Sequence, residues 1–176
     1  ITTLEAVFLT HHHADQCRGI PSERSFVVHA PRGEEAFLDP ARARALTASD
    51  AHVGRGCPLS YSVSPEGLAD IRYDMAPAAD VFWRGHRIRF IDTPGHGPNA
   101  LSVVMDVGGL QIVFCGDAAH AGSTVWEPFH LEWDHWTSTG ALAAWQGVRR
   151  LRWAYADLLC PSHGPVLDAE IPTCLD

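Results

Sequence analysis

The sequence has no CxxC pair, no run of about 18 apolar residues and no excess of basic charge. Each absence narrows what the chain can be. Its five cysteines, Cys17, Cys57, Cys115, Cys160 and Cys174, are odd in number and widely spread. That pattern argues against a disulfide framework or a cysteine zinc knuckle and favours a reducing, cytoplasmic setting. Without a long apolar run or a basic-then-apolar leader, no membrane segment is expected. A net charge of −8 argues against nucleic acid as a partner, because polyanion binders carry a basic footprint. The one basic cluster, Arg149, Arg150 and Arg152, is expected on the solvated face of a helix. The chain opens on Ile1 without an initiator Met, so a fragment or trimmed domain is expected.

What is present describes an ordinary globular protein. The 176 residues are 46% hydrophobic and 19% charged, which fits one domain over residues 1–176. "LEAVFLT" (Leu4 to Thr10) and "SFVVHA" are short apolar runs without a helical period and read as buried strands. Between them, "ADQCRGIPSE" suits a single helical turn or a loop. "PRGEEAFL" places Pro31 at a first helical position with acids in the first turn, and "DPARARALTA" suggests a further short helix. Residues Ser49 to Pro65 are rich in Gly, Pro and Ser and read as a loop. "VFWRGHRIRFIDT" predicts a hairpin turning at Arg84-Gly85. In "ALSVVMDVGGLQIVFCGD", two β-rich runs flank Gly108-Gly109, a pair able to supply the positive φ angles of a tight turn.

Leu142, Trp145, Val148 and Leu151 recur at helical spacing and predict a helix over Gly140–Trp153, with Thr137 or Ser138 as N-cap. "DLLC" then reads as a last strand. The whole order predicts an α/β layered domain and not a regular βαβ ladder.

Four polar clusters follow the strand-like runs: "THHHADQ", "TPGHGPN", "GDAAH" and "PSHGP". Loops at strand ends are where a rigid sheet can aim side chains at one point. One histidine in such a place would more often be structural; four clusters with the same arrangement point to a site. In extended backbone the side chains of His11 and His13 leave the same face, so both imidazoles can reach one ion, while His12 points away. Asp15 follows where the chain turns and could face a second ion. Nitrogen and carboxylate donors without sulfur suit Zn²⁺, and also Fe²⁺ or Mn²⁺.

The succession THxHxD, TPGH, GD and SHG, running from Leu4 to about Pro165, resembles the metallo-β-lactamase superfamily. That group includes glyoxalase II-type thioesterases, lactonases, β-lactamases, ribonuclease Z-type nucleases and persulfide dioxygenases. The resemblance implies an αββα sandwich. Because only Ile1 to Thr10 precede the first motif, it also implies a truncated N-terminal half, with apolar sheet surface and a strand edge left uncovered.

Position by position, the resemblance implies that His11, His13 and His96 hold a first metal and that Asp117 bridges two. Asp15 and His163 would hold the second, with Asp15 also orienting the nucleophile and passing a proton. Gln16 stands where the family pattern has a histidine ligand, so a weaker or empty second site is implied. The implied activity is metal-dependent hydrolysis, through a metal-bound hydroxide, of a small ester, thioester, lactone or related substrate. The alternatives are a mononuclear iron persulfide dioxygenase and a non-catalytic, degenerate member. Asn99 and His120 could hydrogen-bond substrate or orient a ligand. The aromatic Trp126–Thr137 segment could wall a pocket or cap the following helix; its His130 and His135 are not needed as ligands. The substrate is a small molecule, and an oligomer remains open.

Overall fold

The computed structural model describes residues 3–48, 52–53, 57–58, 63–64, 66–77, 79–120, 138–169, 171 and 175. Most of the Ser49–Pro65 stretch, the Thr137 cap and the Trp126–Thr137 segment with His130 and His135 lie outside the described residues. The chain divides into two compact units, Ile1–Met75 and Ala76–Asp176.

In the first unit, β1 (Ala6–Phe8), β2 (Val27–Pro31) and β5 (Ile71–Met75) form a three-stranded sheet in the order β1-β2-β5, all parallel. A two-stranded antiparallel pair, β3 (His52–Val53) with β4 (Cys57–Pro58), lies between β2 and β5 in sequence. Parallel neighbours need crossovers, and three short helices occupy them: α1 (Ala14–Cys17), α2 (Glu35–Leu38) and α3 (Pro40–Ala48). This half is therefore locally parallel and βαβ-like, within the layered α/β order that the sequence predicts. Its core is Leu9, Cys17, Val28, Ala30, Leu38 and Leu68.

Two local expectations shift here. Pro31 closes β2 instead of opening a helix, and the chain turns through Gly33 at φ 94° before α2 begins. The proline that does start a helix is Pro40. Just before it, Asp39 Oδ1 accepts from the backbone N–H groups of Ala41 (3.1 Å) and Arg42 (3.0 Å), satisfying donors that a helix start leaves orphaned.

The second unit is a five-stranded sheet in the order β10-β9-β8-β7-β6. It comprises β6 (Asp80–Trp83), β7 (His86–Asp92), β8 (Leu101–Val107), β9 (Leu110–Gly116) and β10 (Leu158–Pro161). Strands β6 to β9 form an antiparallel meander, and β10 pairs parallel to β9. Both expected hairpins are present. Arg84 and Gly85 sit at φ 48° and 84°, and Gly108 and Gly109 at 60° and 86°, which is the pair of positive angles a two-residue turn requires. The core gathers Val104, Val113, Cys115, Ala119, Leu151, Leu159, Ile171 and Leu175. A fully buried leucine such as Leu151 or Leu159 contributes about 2 kcal/mol.

Helix α4 (Ser138–Arg152) forms where expected but buries a different face. Leu142 and Trp145 are about half exposed, whereas Ala144, Gly147 and Leu151 are buried. The reason is steric. A Cβ on Gly95 would lie 2.4 Å from Ala144 Cα, and one on Gly147 would lie 2.9 Å from the Pro94 carbonyl oxygen. The small-residue face lets the helix backbone seat directly on the Thr93–Gly95 loop, and the bulky residues turn outward. The arginines follow them: Arg149 stacks over Trp145, and Arg150 Nη1 donates to Asp92 Oδ2 at 2.9 Å.

Candidate metal centre

In the second unit the strand directions decide where the polar loops emerge. β7 is antiparallel to β8, β8 to β9, and β10 is parallel to β9, so β7, β9 and β10 all run the same way. Their C-terminal ends lie at one end of the sheet. Three of the four polar clusters leave from those ends: His96 after β7, Asp117 after β9 and His163 after β10.

The result is a convergence of residues far apart in the chain. His96 Nε2 lies 3.2 Å from Asp117 Oδ2, and His163 Nε2 lies 3.8 Å from Asp117 Oδ1. The two oxygens of one carboxylate thus face two different imidazoles. The Asp117 side chain is 4% exposed and that of His163 59%, so the group is anchored inside and open on one side. The loop carrying His96 is closed by Thr93 N–H donating to the Ala100 carbonyl (3.0 Å) and by the Thr93–Ser102 hydroxyl pair (3.0 Å). Gly95, at φ 133°, is the position where α4 presses on it.

In the first unit the histidine triplet follows β1 directly. His11, His12 and His13 are all buried. His11 Nε2 and His13 Nδ1 face each other at 3.1 Å, with ring planes 81° apart. His12 does not point fully away, as strict extended-chain alternation would have it; its ring lies edge-on to His13 with centroids 4.7 Å apart, while its own partners are different. Its Nδ1 lies 2.7 Å from Glu34 Oε2, and its ring stacks on Phe37 with centroids 4.2 Å apart. Asp15 opens α1 on the exposed surface and accepts a hydrogen bond from Gln16 Nε2 at 3.1 Å.

These donors fit a divalent cation. Two nitrogens about 2.0–2.1 Å from a tetrahedral Zn²⁺ stand roughly 3.3 Å apart, and the His11–His13 and His96–Asp117 donor pairs are spaced at 3.1 and 3.2 Å. The chemistry agrees as well: neutral imidazole nitrogens with a carboxylate make an N/O set suited to zinc and its neighbours. The buried thiols offer no rival nucleophile. Burial pushes Cys17 up to about 11 and Cys115 to about 12, so both stay protonated near neutrality.

Each unit thus carries part of the expected set: His11, His13 and Asp15 in the first, His96, Asp117 and His163 in the second. His120 is buried beside His163, with ring centroids 6.2 Å apart and planes 19° from parallel. Asn99 lies half-buried in the His96 loop. Sequence reasoning missed Glu34. It stands in a run of acids that reads as a helix start, and its partner is 22 positions away.

The family profile of the metallo-beta-lactamase superfamily matches residues 1–163. Among solved structures, the chain resembles a Cronobacter sakazakii metallo-beta-lactamase described by its HARLDQ motif. The TM-score is 0.60 at 18% identity over 90% of this chain and 58% of that one. It also resembles an archaeal metallo-beta-lactamase superfamily protein from Sulfolobus tokodaii, at TM-score 0.59 and 18% identity over 99% and 66%. The subclass B3 metallo-beta-lactamase BJP-1 of Bradyrhizobium japonicum gives TM-score 0.61 at 13% identity over 98% and 68%. At these identities the likeness concerns the fold. The chain spans 56–70% of the length of the structures it resembles, Cronobacter sakazakii variants included. No curated protein matches the sequence.

Proposed function

The chain belongs to the metallo-beta-lactamase superfamily, and we propose from that membership that it is a metal-dependent hydrolase of a small ester, thioester, lactone or related substrate. By the family pattern, His11, His13, His96 and Asp117 would hold one ion, and Asp15, Asp117 and His163 a second. Zinc is the expected metal, with Fe²⁺ or Mn²⁺ compatible with the same donors.

The observation that carries this reading is the Asp117 carboxylate, whose two oxygens face His96 and His163 separately. That disposition suits a group shared by two ions. When bound, divalent cations acidify water and polarise the bond under attack. The chain's own residues supply the rest. Asp15 accepts and passes a proton at its carboxylate, near the exposed rim of its unit. His120, stacked beside His163, hydrogen-bonds the substrate, and Asn99 orients it from the His96 loop.

Gln16 tunes the second ion. Its amide donates to Asp15, so it steadies a carboxylate and adds no imidazole of its own. The HARLDQ motif of the Cronobacter protein ends in the same Asp-Gln pair, but its third residue is Arg where this chain keeps His13. The first ion is therefore held with a full set of histidines, and the second more weakly. A nucleic-acid substrate does not suit the net charge of −8, and no described helix is long and apolar enough to cross a membrane.

Metal analysis of the purified protein, coupled to a panel of thioester, lactone, phosphodiester and β-lactam substrates, tests the reading. Hydrolysis that rises with zinc and is lost on chelation supports it. Metal-loaded protein inert to the whole panel, or oxygen consumption with a persulfide by iron-loaded protein, contradicts it.

A further inference from the structure

The histidine triplet carries a buried pair, His12 with Glu34, that coordination does not use. His12 and Glu34 each expose 0% of their side chains, yet both are polar and one is a carboxylate. Burying such a group costs several kcal/mol unless it is held by a strong partner. Here the partner is close: 2.7 Å between His12 Nδ1 and Glu34 Oε2, within the range of hydrogen bonds to an ionised acceptor.

The sheet explains why these two residues meet. β1 and β2 are adjacent and parallel, with Phe8 in register with His29 and Leu9 N–H donating to the His29 carbonyl. Their C-terminal ends therefore emerge side by side. The triplet leaves β1, and the Arg32–Glu34 turn leaves β2 and leads into α2. That one turn presents two groups to His12: the Glu34 carboxylate and, three residues later, the Phe37 ring, stacked 21° from parallel. The stack fixes the plane of the imidazole, and the hydrogen bond fixes its rotation within that plane. Cys17 Sγ donates to the His12 carbonyl at 3.4 Å, holding the backbone from the α1 side.

We propose that His12 and Glu34 are positioning residues for the ligand pair His11 and His13. The His12 ring packs edge-on against the His13 ring, with centroids 4.7 Å apart, so locking the central imidazole between Glu34 and Phe37 limits where the His13 ring can lie beside His11. The quantity this lock would preserve is the spacing of 3.1 Å between His11 Nε2 and His13 Nδ1. This inference rests on the metal-binding reading above, but concerns a pair that touches no ion.

The test compares the full chain with the double variant His12→Phe/Glu34→Met. Phenylalanine keeps the stack on Phe37, and removing both polar partners leaves no orphaned charge; such replacements are often neutral for the fold. Metal-free thermal unfolding, zinc affinity by chelator competition and the visible spectrum of bound Co²⁺ are measured side by side. The expected result is a melting temperature close to wild type with zinc binding weakened about tenfold or more and an altered Co²⁺ spectrum. Wild-type affinity and spectrum in a folded double variant overturn the inference.

Should the double variant fail to fold, Glu34→Asp and Glu34→Gln decide. The shorter Asp is expected to weaken zinc binding, and Gln, which keeps the reach, to restore it. Equal wild-type affinity in both overturns the proposal. Wild-type protein that takes up neither Zn²⁺ nor Co²⁺ overturns the metal-centre reading, and this inference with it. Wild-type uptake with indifferent variants removes this inference alone.

Discussion

The two units bring their ligands to position in different ways. In the second, His96, Asp117 and His163 come from three strands of one sheet, and co-directional β7, β9 and β10 deliver them to one end. In the first, His11 and His13 come from a single loop after a three-residue strand, where His13 makes an isolated antiparallel bridge to Val63. There, by the inference above, a side-chain bracket of His12 with Glu34 and Phe37 takes the part that strand direction plays in the other half. Backbone topology can place residues that lie far apart in the chain. Neighbours in one loop have to be pinned by side chains.

The largest expected effect comes from breaking the sheet-placed half. Asp117→Ala should abolish turnover and lower bound metal at both positions, with circular dichroism unchanged; retained activity would refute the site. His96→Ala should also abolish turnover while sparing part of the weaker ion's binding. Next comes the close helix–loop contact that supports His96. Gly95→Val places a side chain at φ 133° and 2.4 Å from Ala144 Cα, and should destabilise the protein by about 3 kcal/mol or more. Gly147→Ala is milder. Its new Cβ meets the Pro94 carbonyl oxygen at 2.9 Å, and the overpacking cost of about 1–3 kcal/mol should outweigh the gain in helix propensity. Urea denaturation measures both, and a stabilised Gly147→Ala would show that the contact is loose.

Gln16→His sharpens the comparison from the loop-placed side. Adding an imidazole next to Asp15 should raise occupancy of the second ion at limiting zinc, read by metal counting, with the first ion unaffected. The smallest effect is on pH dependence. Burial holds the Cys115 thiol near 12 against an ordinary value of 9.0. Above pH 9 the unfolded chain releases protons that the native state keeps, so this contribution is intact below pH 9 and declines as pH rises towards 12. Comparing urea midpoints at pH 8 and pH 10.5 should show a decline that Cys115→Ala reduces.

How much of this was legible in the sequence also divides between the halves. Antiparallel hairpins announce themselves locally: Arg84-Gly85 and Gly108-Gly109 carry their turn chemistry in two residues, and the meander followed from them. The parallel β1-β2-β5 sheet carries no such mark, because its pairings depend on crossovers of many residues, and β5 went unread. Pro31 resembled a helix start because composition alone does not distinguish a strand's last residue from a helix's first. Leu142 and Trp145 had the spacing of a buried face. Ala144 and Gly147 took that face instead, since close backbone approach favours small residues and periodicity registers only large ones. The candidate ligand histidines stood out because four clusters repeated one pattern. Glu34 was not, since a buried carboxylate and an exposed one look alike in a run of acids.

Anomalous diffraction at the zinc edge from crystals of the zinc-loaded protein tests the central claim most directly. The expected result is a dominant zinc peak ligated by His11 and His13 of the first unit together with His96 of the second, and a weaker peak beside Asp15 and His163. Zinc bound elsewhere, or His11 and His13 beyond coordination distance of an ion held by His96 and Asp117, would contradict it.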